Sequence, residues 1–176
     1  MRFEPLPLSG VYLVEPELRL DERGFFARTW CREEFAAHGL CTDWVQSSLS
    51  FNAQAGTLRG LHYQRNPPEI KLLRCTMGAI FDVIVDLRPG SATWGQWLGL
   101  ELSAQNRRQL YVPANFAHGF QTLVDASEVH YQMSAFYQPE EARGVRWNDP
   151  RLAIRWPSGG PRLVSPRDAL LPLLAS

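Results

Sequence analysis

Four side chains able to move a proton or hold a charge stand in segments otherwise patterned for strands. They are His62 in Arg59-Gly60-Leu61-His62-Tyr63-Gln64, Lys71 in Glu69-Ile70-Lys71-Leu72-Leu73-Arg74, His118 after the proline turn of Pro113-Ala114-Asn115-Phe116-Ala117-His118, and Tyr131 in Val129-His130-Tyr131-Gln132-Met133. Singly each has an ordinary structural role: a hydrogen-bonded core histidine, a lysine whose stem packs while its ammonium reaches water, a turn histidine, a core tyrosine. Brought together they form a proton-transfer kit. A neutral imidazole accepts a proton, an ammonium steadies the oxyanion that forms, and a phenol returns a proton from another side. Lys71 is the one lysine among eighteen basic residues, the other seventeen being arginine. A GC-rich coding sequence accounts for arginine at indifferent surface positions, so the informative position is 71. There a compact ammonium gives a single oxygen a point charge that a planar guanidinium does not.

The four lie in separate segments, so the fold must bring them to one place. Segments 58–63, 70–76, 79–87, 97–102, 109–112, 118–124 and 128–136 are short, rich in β-branched and aromatic residues, and divided by turns containing Pro, Gly and Asn. Their spacing suits a β-sandwich or barrel. Helical signals are limited to 32–38, stopped by Gly39, and one turn at 139–142 that begins with proline. Neither is long enough to cross over between parallel strands. The expectation is an all-β antiparallel jelly roll forming one domain over 1–176, with a turn at Pro157–Pro161. Within 59–64, alternation puts Arg59, Leu61 and Tyr63 on one face and Gly60, His62 and Gln64 on the other.

Composition removes several other function classes. The chain has 176 residues, is 45% apolar, and carries eighteen basic against eighteen acidic side chains for a formal net charge of zero. A core of that size needs no disulfide or metal to fold, and neither a phosphate-tracking basic excess nor a membrane-surface helix is present. No nucleic acid and no membrane partner is expected. The first ten residues lack an apolar run of signal-peptide length, which predicts a cytoplasmic protein. Cys31, Cys41 and Cys75 are an odd number without C-x-x-C spacing and read as buried thiols. The four histidines, at 38, 62, 118 and 130, are too dispersed for an H-x-H metal motif. No nucleophile elbow, Walker loop or dinucleotide-binding glycine turn occurs.

Dense, ordered motifs then carry a resemblance. They are Asp21-Glu22-Arg23-Gly24-Phe25-Phe26, Gln46-Ser47 with Ser50-Phe51-Asn52, Gly56-Thr57-Leu58-Arg59-Gly60-Leu61-His62-Tyr63-Gln64, the Lys71 segment, Asp82-Val83-Ile84-Val85-Asp86-Leu87-Arg88, Phe116-Ala117-His118-Gly119-Phe120, Tyr131 and Trp147-Asn148-Asp149-Pro150. From about Phe3 to Asp168 the chain resembles the dTDP-4-dehydrorhamnose 3,5-epimerase family, nucleotide-sugar isomerases with a cupin-type jelly roll. The resemblance implies cofactor-independent epimerisation at C3 and C5 of a nucleoside-diphosphate 4-keto-6-deoxyhexose, in deoxysugar synthesis for a surface polysaccharide or glycosylated product. It maps the base onto His62 with Asp168 as its carboxylate partner, the enolate-stabilising lysine onto Lys71 and the opposite-face proton donor onto Tyr131. His118 is implied to support the sugar or the lysine, and Arg59 to contact phosphate or keto-sugar. Arg23, Phe26, Gln46 and Asn52 are implied to bind the nucleotide. Exchange of amino-terminal strands in a homodimer is implied too, which gives Arg23 and Phe26 to the neighbour's site. Three departures stand out: Arg28 where glutamate is usual, a segment one residue shorter before Lys71 with Glu69 near a usual glutamine, and Arg167 in place of lysine before Asp168. Mono-epimerase or ketoisomerase activity, a noncatalytic sugar-nucleotide-binding jelly roll, and a metal-dependent cupin are the alternatives.

Overall fold

The computed structural model describes residues 1–157 and 160–174. In chain order the elements are β1 (Arg2–Pro5), β2 (Tyr12–Glu15), β3 (Arg19–Asp21), β4 (Gly24–Phe26), α1 (Arg32–Ala37), β5 (Gln46–Asn52), β6 (Thr57–Gln64), β7 (Lys71–Met77) and β8 (Ala79–Asp86). There follow β9 (Trp97–Ser103), β10 (Gln109–Val112), β11 (Phe116–Thr122), β12 (Ser127–Met133), a 3-10 turn at Pro139–Glu141, β13 (Ala142–Gly144), β14 (Leu163–Val164) and α2 (Pro166–Ala169). The first sheet runs β1-β2-β10-β7-β12-β5 and the second β13-β6-β11-β8-β9, with β3 and β4 forming a separate hairpin. Pairing is antiparallel except where β14 runs parallel to β6. The two sheets make the expected antiparallel jelly roll.

Alternation along the strands builds the interior. Leu73 and Cys75 of β7, Leu110 and Val112 of β10 and Val129 of β12 meet Ile80 and Ile84 of β8, Leu102 of β9 and Phe116 and Phe120 of β11. The other faces are not left to water. Leu72 and Tyr111 on the back of the first sheet pack beneath Phe35 of α1, with Trp30 and Trp44 alongside. Behind the second sheet, Leu61, Val83, Val85 and Ala117 lie against Val145 and Leu152. Coverage on both sides explains why segments 70–76 and 79–87 read as almost continuous apolar runs instead of alternating ones. Helix α1 has the limits the sequence suggested: Glu33 and Glu34 lie in its first turn, and Gly39 follows the cap at φ +67°.

Strand β6 corrects one expectation. Simple alternation separates Arg59 from His62, but β6 carries a bulge: His118 pairs with His62, while Phe120, two residues on, pairs with Arg59, three residues back. The extra residue brings Arg59 and His62 to the same cavity. Gly60 permits this. Its φ is +111°, and a Cβ there would sit 2.6 Å from Gly119 Cα and 2.7 Å from the His118 carbonyl oxygen. The thiols also differ from expectation, with Cys75 buried and Cys31 and Cys41 only half-buried. In the Pro157–Pro161 turn, residues 158 and 159 lie outside the described residues.

Candidate active site

Along three strands the inward face changes from apolar to polar, and there the core gives way to a cavity of about 560 Å³. On β7 the inward series is Lys71, Leu73, Cys75, and on β12 it is Val129, Tyr131, Met133. On β11, His118 sits between Phe116 and Phe120. Strand β5 inverts the usual pattern: Ser48 and Ser50 face the cavity while Leu49 and Phe51 are exposed. The structure therefore brings His62, Lys71, His118, Tyr131, Asp168, Arg59 and Gln46 around one space.

His62 Nε2 lies 2.6 Å from Asp168 Oδ1, with the imidazole 42% exposed and the carboxylate 6% exposed. Because a carboxylate accepts, Nε2 carries the hydrogen in this pair, which makes Nδ1 the acceptor of the neutral ring. The other carboxylate oxygen accepts the Gly60 backbone N–H at 3.1 Å. Asp168 rides on α2, whose first turn is capped by Ser165: its Oγ accepts the Asp168 N–H at 3.1 Å, and Pro166 follows at the first helical position. Burial pushes the Asp168 carboxyl up, but the hydrogen bond and charge of His62, the Gly60 N–H and Arg167 outweigh it and hold the group below the usual carboxylate range. The partner of His62 is therefore an anion at neutral pH.

Lys71 Nζ lies 2.8 Å from Glu69 Oε1 and donates to the His62 carbonyl oxygen at 3.4 Å. Burial first, and then the charge of Asp82, push the Tyr131 phenol well above its ordinary range, with Arg59 opposing. The phenol keeps its proton at rest. The His118 ring stands edge-on to Tyr131 with centroids 5.9 Å apart, and its Nε2 lies 2.7 Å from Asp82 Oδ1 in a buried pair. Asp82 carries a charge inside the apolar 79–87 segment, a signal by which the sequence could have found it. Cys75 is not a competing nucleophile, since burial pushes its thiol up to about 11.

The remaining binding candidates divide. Arg59 Nε donates to Asn52 Oδ1 at 2.7 Å, and Asn52 Nδ2 donates to the Ser50 and Ser127 carbonyls. Asn52 is 2% exposed, so here it holds Arg59 and does not itself line the cavity. Gln46 lines the cavity while its Oε1 accepts the Tyr137 N–H at 3.0 Å. Arg23 and Phe26 sit on the β3–β4 hairpin, outside this chain's cavity, with Phe26 72% exposed and Arg23 paired to Asp21. Arg28 is paired to Glu34 at 2.9 Å. Glu69 and Arg167, two of the sequence departures, both line the cavity. Among the described residues, His, Cys, Asp and Glu side chains form no group of three or more that could hold a metal ion. Nor is any described helix long and apolar enough to cross a membrane.

Comparison with known proteins places this geometry among relatives. Residues 5–176 match the family model described as dTDP-4-dehydrorhamnose 3,5-epimerase. A protein of that name from Sinorhizobium fredii is 44% identical over 99% of this chain and 90% of its own length. The dTDP-4-dehydrorhamnose 3-epimerase of Streptomyces niveus is 42% identical over 99% of this chain and 84% of its own length. Among solved structures, a 3,5-epimerase from Bacillus anthracis with TDP and PPi bound has a TM-score of 0.94 at 45% identity, covering 98% of this chain and 99% of that one. A dTDP-6-deoxy-D-glucose-3,5-epimerase from Legionella pneumophila in complex with dTDP-4-keto-L-rhamnose has a TM-score of 0.93 at 38% identity, covering 98% of this chain and 92% of that one.

Proposed function

The chain belongs to the dTDP-4-dehydrorhamnose 3,5-epimerase family, and from that membership we propose that it converts dTDP-4-dehydro-6-deoxyglucose to dTDP-4-dehydrorhamnose with His62 as the base. C3 and C5 both flank the C4 ketone, so breaking either C–H bond sends its electron pair toward the carbonyl oxygen as an enolate. His62 Nδ1 takes the proton, and Asp168 steadies the imidazolium. The Lys71 ammonium, on a side chain only 10% exposed, meets the enolate oxygen with a compact charge. Tyr131 delivers its proton to the carbon from the opposite face, forming the inverted C–H bond. Solvent then restores both groups, removing a proton from His62 and returning one to Tyr131. Protons are all that the substrate exchanges, so the chemistry calls for no redox cofactor.

The carrying observation is the 2.6 Å His62–Asp168 pair set on the same cavity as Lys71 and Tyr131. Arg59 and Gln46 extend that cavity's polar lining and serve the diphosphate and nucleotide. Asn52 serves them through Arg59. The exposed hairpin supports a homodimer in which Arg23 and Phe26 complete the partner's site. The protein works as one folding unit in the cytoplasm. A second reading, inversion at C3 alone, is favoured by the likeness to the Streptomyces niveus 3-epimerase.

Incubation with dTDP-4-keto-6-deoxyglucose in deuterated water separates the two. Deuterium at both C3 and C5 is the expected result, deuterium at C3 alone gives the mono-epimerase, and no incorporation overturns both. CDP- and GDP-linked 4-keto sugars run alongside should exchange more slowly.

A further inference from the structure

Among the described residues, Glu69 is the one carboxylate paired with Lys71, at 2.8 Å. Both side chains are nearly enclosed, Lys71 at 10% and Glu69 at 15% exposure, and both line the cavity. An acidic group in a cavity that takes an anionic sugar nucleotide opposes binding unless it has a local task. The backbone around Glu69 is held from two sides. Gln64, 2% exposed, donates from Nε2 to the Pro67 carbonyl at 2.9 Å, and Ile70 N–H donates to Ser134 Oγ at 2.8 Å while its carbonyl accepts the Ser134 N–H at 3.1 Å. Glu69 is thus fixed in the short connection immediately before β7, and its carboxylate is built into the site.

A lysine ammonium has three hydrogens on a flexible four-carbon stem. One goes to Glu69 Oε1 and a second to the His62 carbonyl oxygen, so the third is left for the cavity. We propose that Glu69 is a positioning residue for Lys71, aiming the remaining ammonium hydrogen at the place where the enolate oxygen develops. This role rests on the epimerase reading. The useful property of Glu69 is its acceptor oxygen, whereas its negative charge works against the enolate. An amide oxygen at the same place keeps the first property and removes the second.

The test exploits the single lysine. Glu69→Ala should lower kcat roughly 10- to 100-fold, the scale of a misplaced catalytic group, while dTDP affinity stays within about three-fold of the unaltered enzyme. Glu69→Gln should restore kcat to at least about a third of the unaltered value or exceed it, since it retains the acceptor. In a Lys71→Met background the Glu69→Ala change should lose its effect on residual exchange. Protein labelled only in lysine with carbon-13 and nitrogen-15 shows Lys71 alone, and Glu69→Ala should move that signal and speed exchange of its ammonium hydrogens with water. An unchanged kcat or an unchanged lysine signal in Glu69→Ala overturns the role, as does a Glu69→Gln enzyme as slow as Glu69→Ala. Absence of deuterium incorporation by the unaltered protein overturns this role and the epimerase reading together. Incorporation with an indifferent Glu69→Ala variant overturns this role only.

Discussion

Arginine occupies seventeen of eighteen basic positions, so the side chain at 71 is where replacement is most instructive. A guanidinium at 71 keeps the positive charge but is planar, bulkier and unable to present one compact hydrogen between Glu69 and the His62 carbonyl. Lys71→Arg should therefore fold, bind dTDP within about three-fold, and lose roughly 100-fold or more in kcat, comparable with removal of an oxyanion donor. Near-normal turnover would return the lysine to coincidence. Asp168 makes a different prediction, about pH. Its folded pKa lies below the ordinary carboxylate value of 3.8, so the stability it contributes is present above that value and disappears as pH falls through the folded pKa. Asp168→Asn should melt lower than the unaltered protein at pH 7, and the gap in Tm should narrow as pH is taken below 3.8. A gap that stays constant from pH 7 to 2 would count against an ionised partner for His62. That His62 and Lys71 are candidates for chemistry was legible from polar residues in apolar segments. Asp168 was not, because nothing in Pro166-Arg167-Asp168-Ala169 apart from the family resemblance marks a four-residue helix that delivers a carboxylate to a distant strand.

At the scale of elements, the β6 bulge does most to assemble the site. It brings Arg59 and His62 to one cavity, and Gly60 at its centre also donates its N–H to Asp168. Gly60→Ala should lower stability by about 2–4 kcal/mol, through both the unfavourable φ and the contacts at 2.6 and 2.7 Å with backbone atoms of β11. Urea unfolding measures it, and an effect under about 1 kcal/mol would mean that β11 gives way easily. Strand β5 shows why some elements escaped the sequence reading. Its apolar residues Leu49 and Phe51 are exposed with Ser47, while Ser48 and Ser50 face the cavity, the reverse of the pattern that identifies a half-buried strand. The central strands β7, β8, β10 and β12 were found within a few residues because tertiary packing and local propensity agree there.

For the whole molecule, the exposed β3–β4 hairpin stands apart from its own chain's cavity. Leu20, Phe25 and Phe26 are 77%, 47% and 72% exposed on seven residues of sequence. If Arg23 serves a neighbour, Arg23→Ala should raise KM with little change in kcat, and sedimentation should give a dimer. Co-expressing Arg23→Ala with His62→Ala chains should recover activity, since the mixed dimer has one site with both residues intact. Random pairing puts that recovery at about a quarter of the unaltered activity. With substrate held well below the raised KM of Arg23→Ala, no gain over the two variants expressed singly would assign each hairpin to its own cavity.

By itself the sequence determined the strand-rich class, the chemistry on offer and the one position that holds a lysine, because composition, period-2 patterning and polar residues inside apolar runs are local properties. The tertiary structure decided which of those residues meet. A register shift of one residue sets the face of Arg59, a distant four-residue helix brings Asp168 to His62, and a short connection places Glu69 on Lys71. The first two are relations between segments as far as 106 residues apart in sequence, created within the second sheet where β11, β14 and the helix after it meet β6, whereas Glu69 meets Lys71 through the local course of the chain into β7.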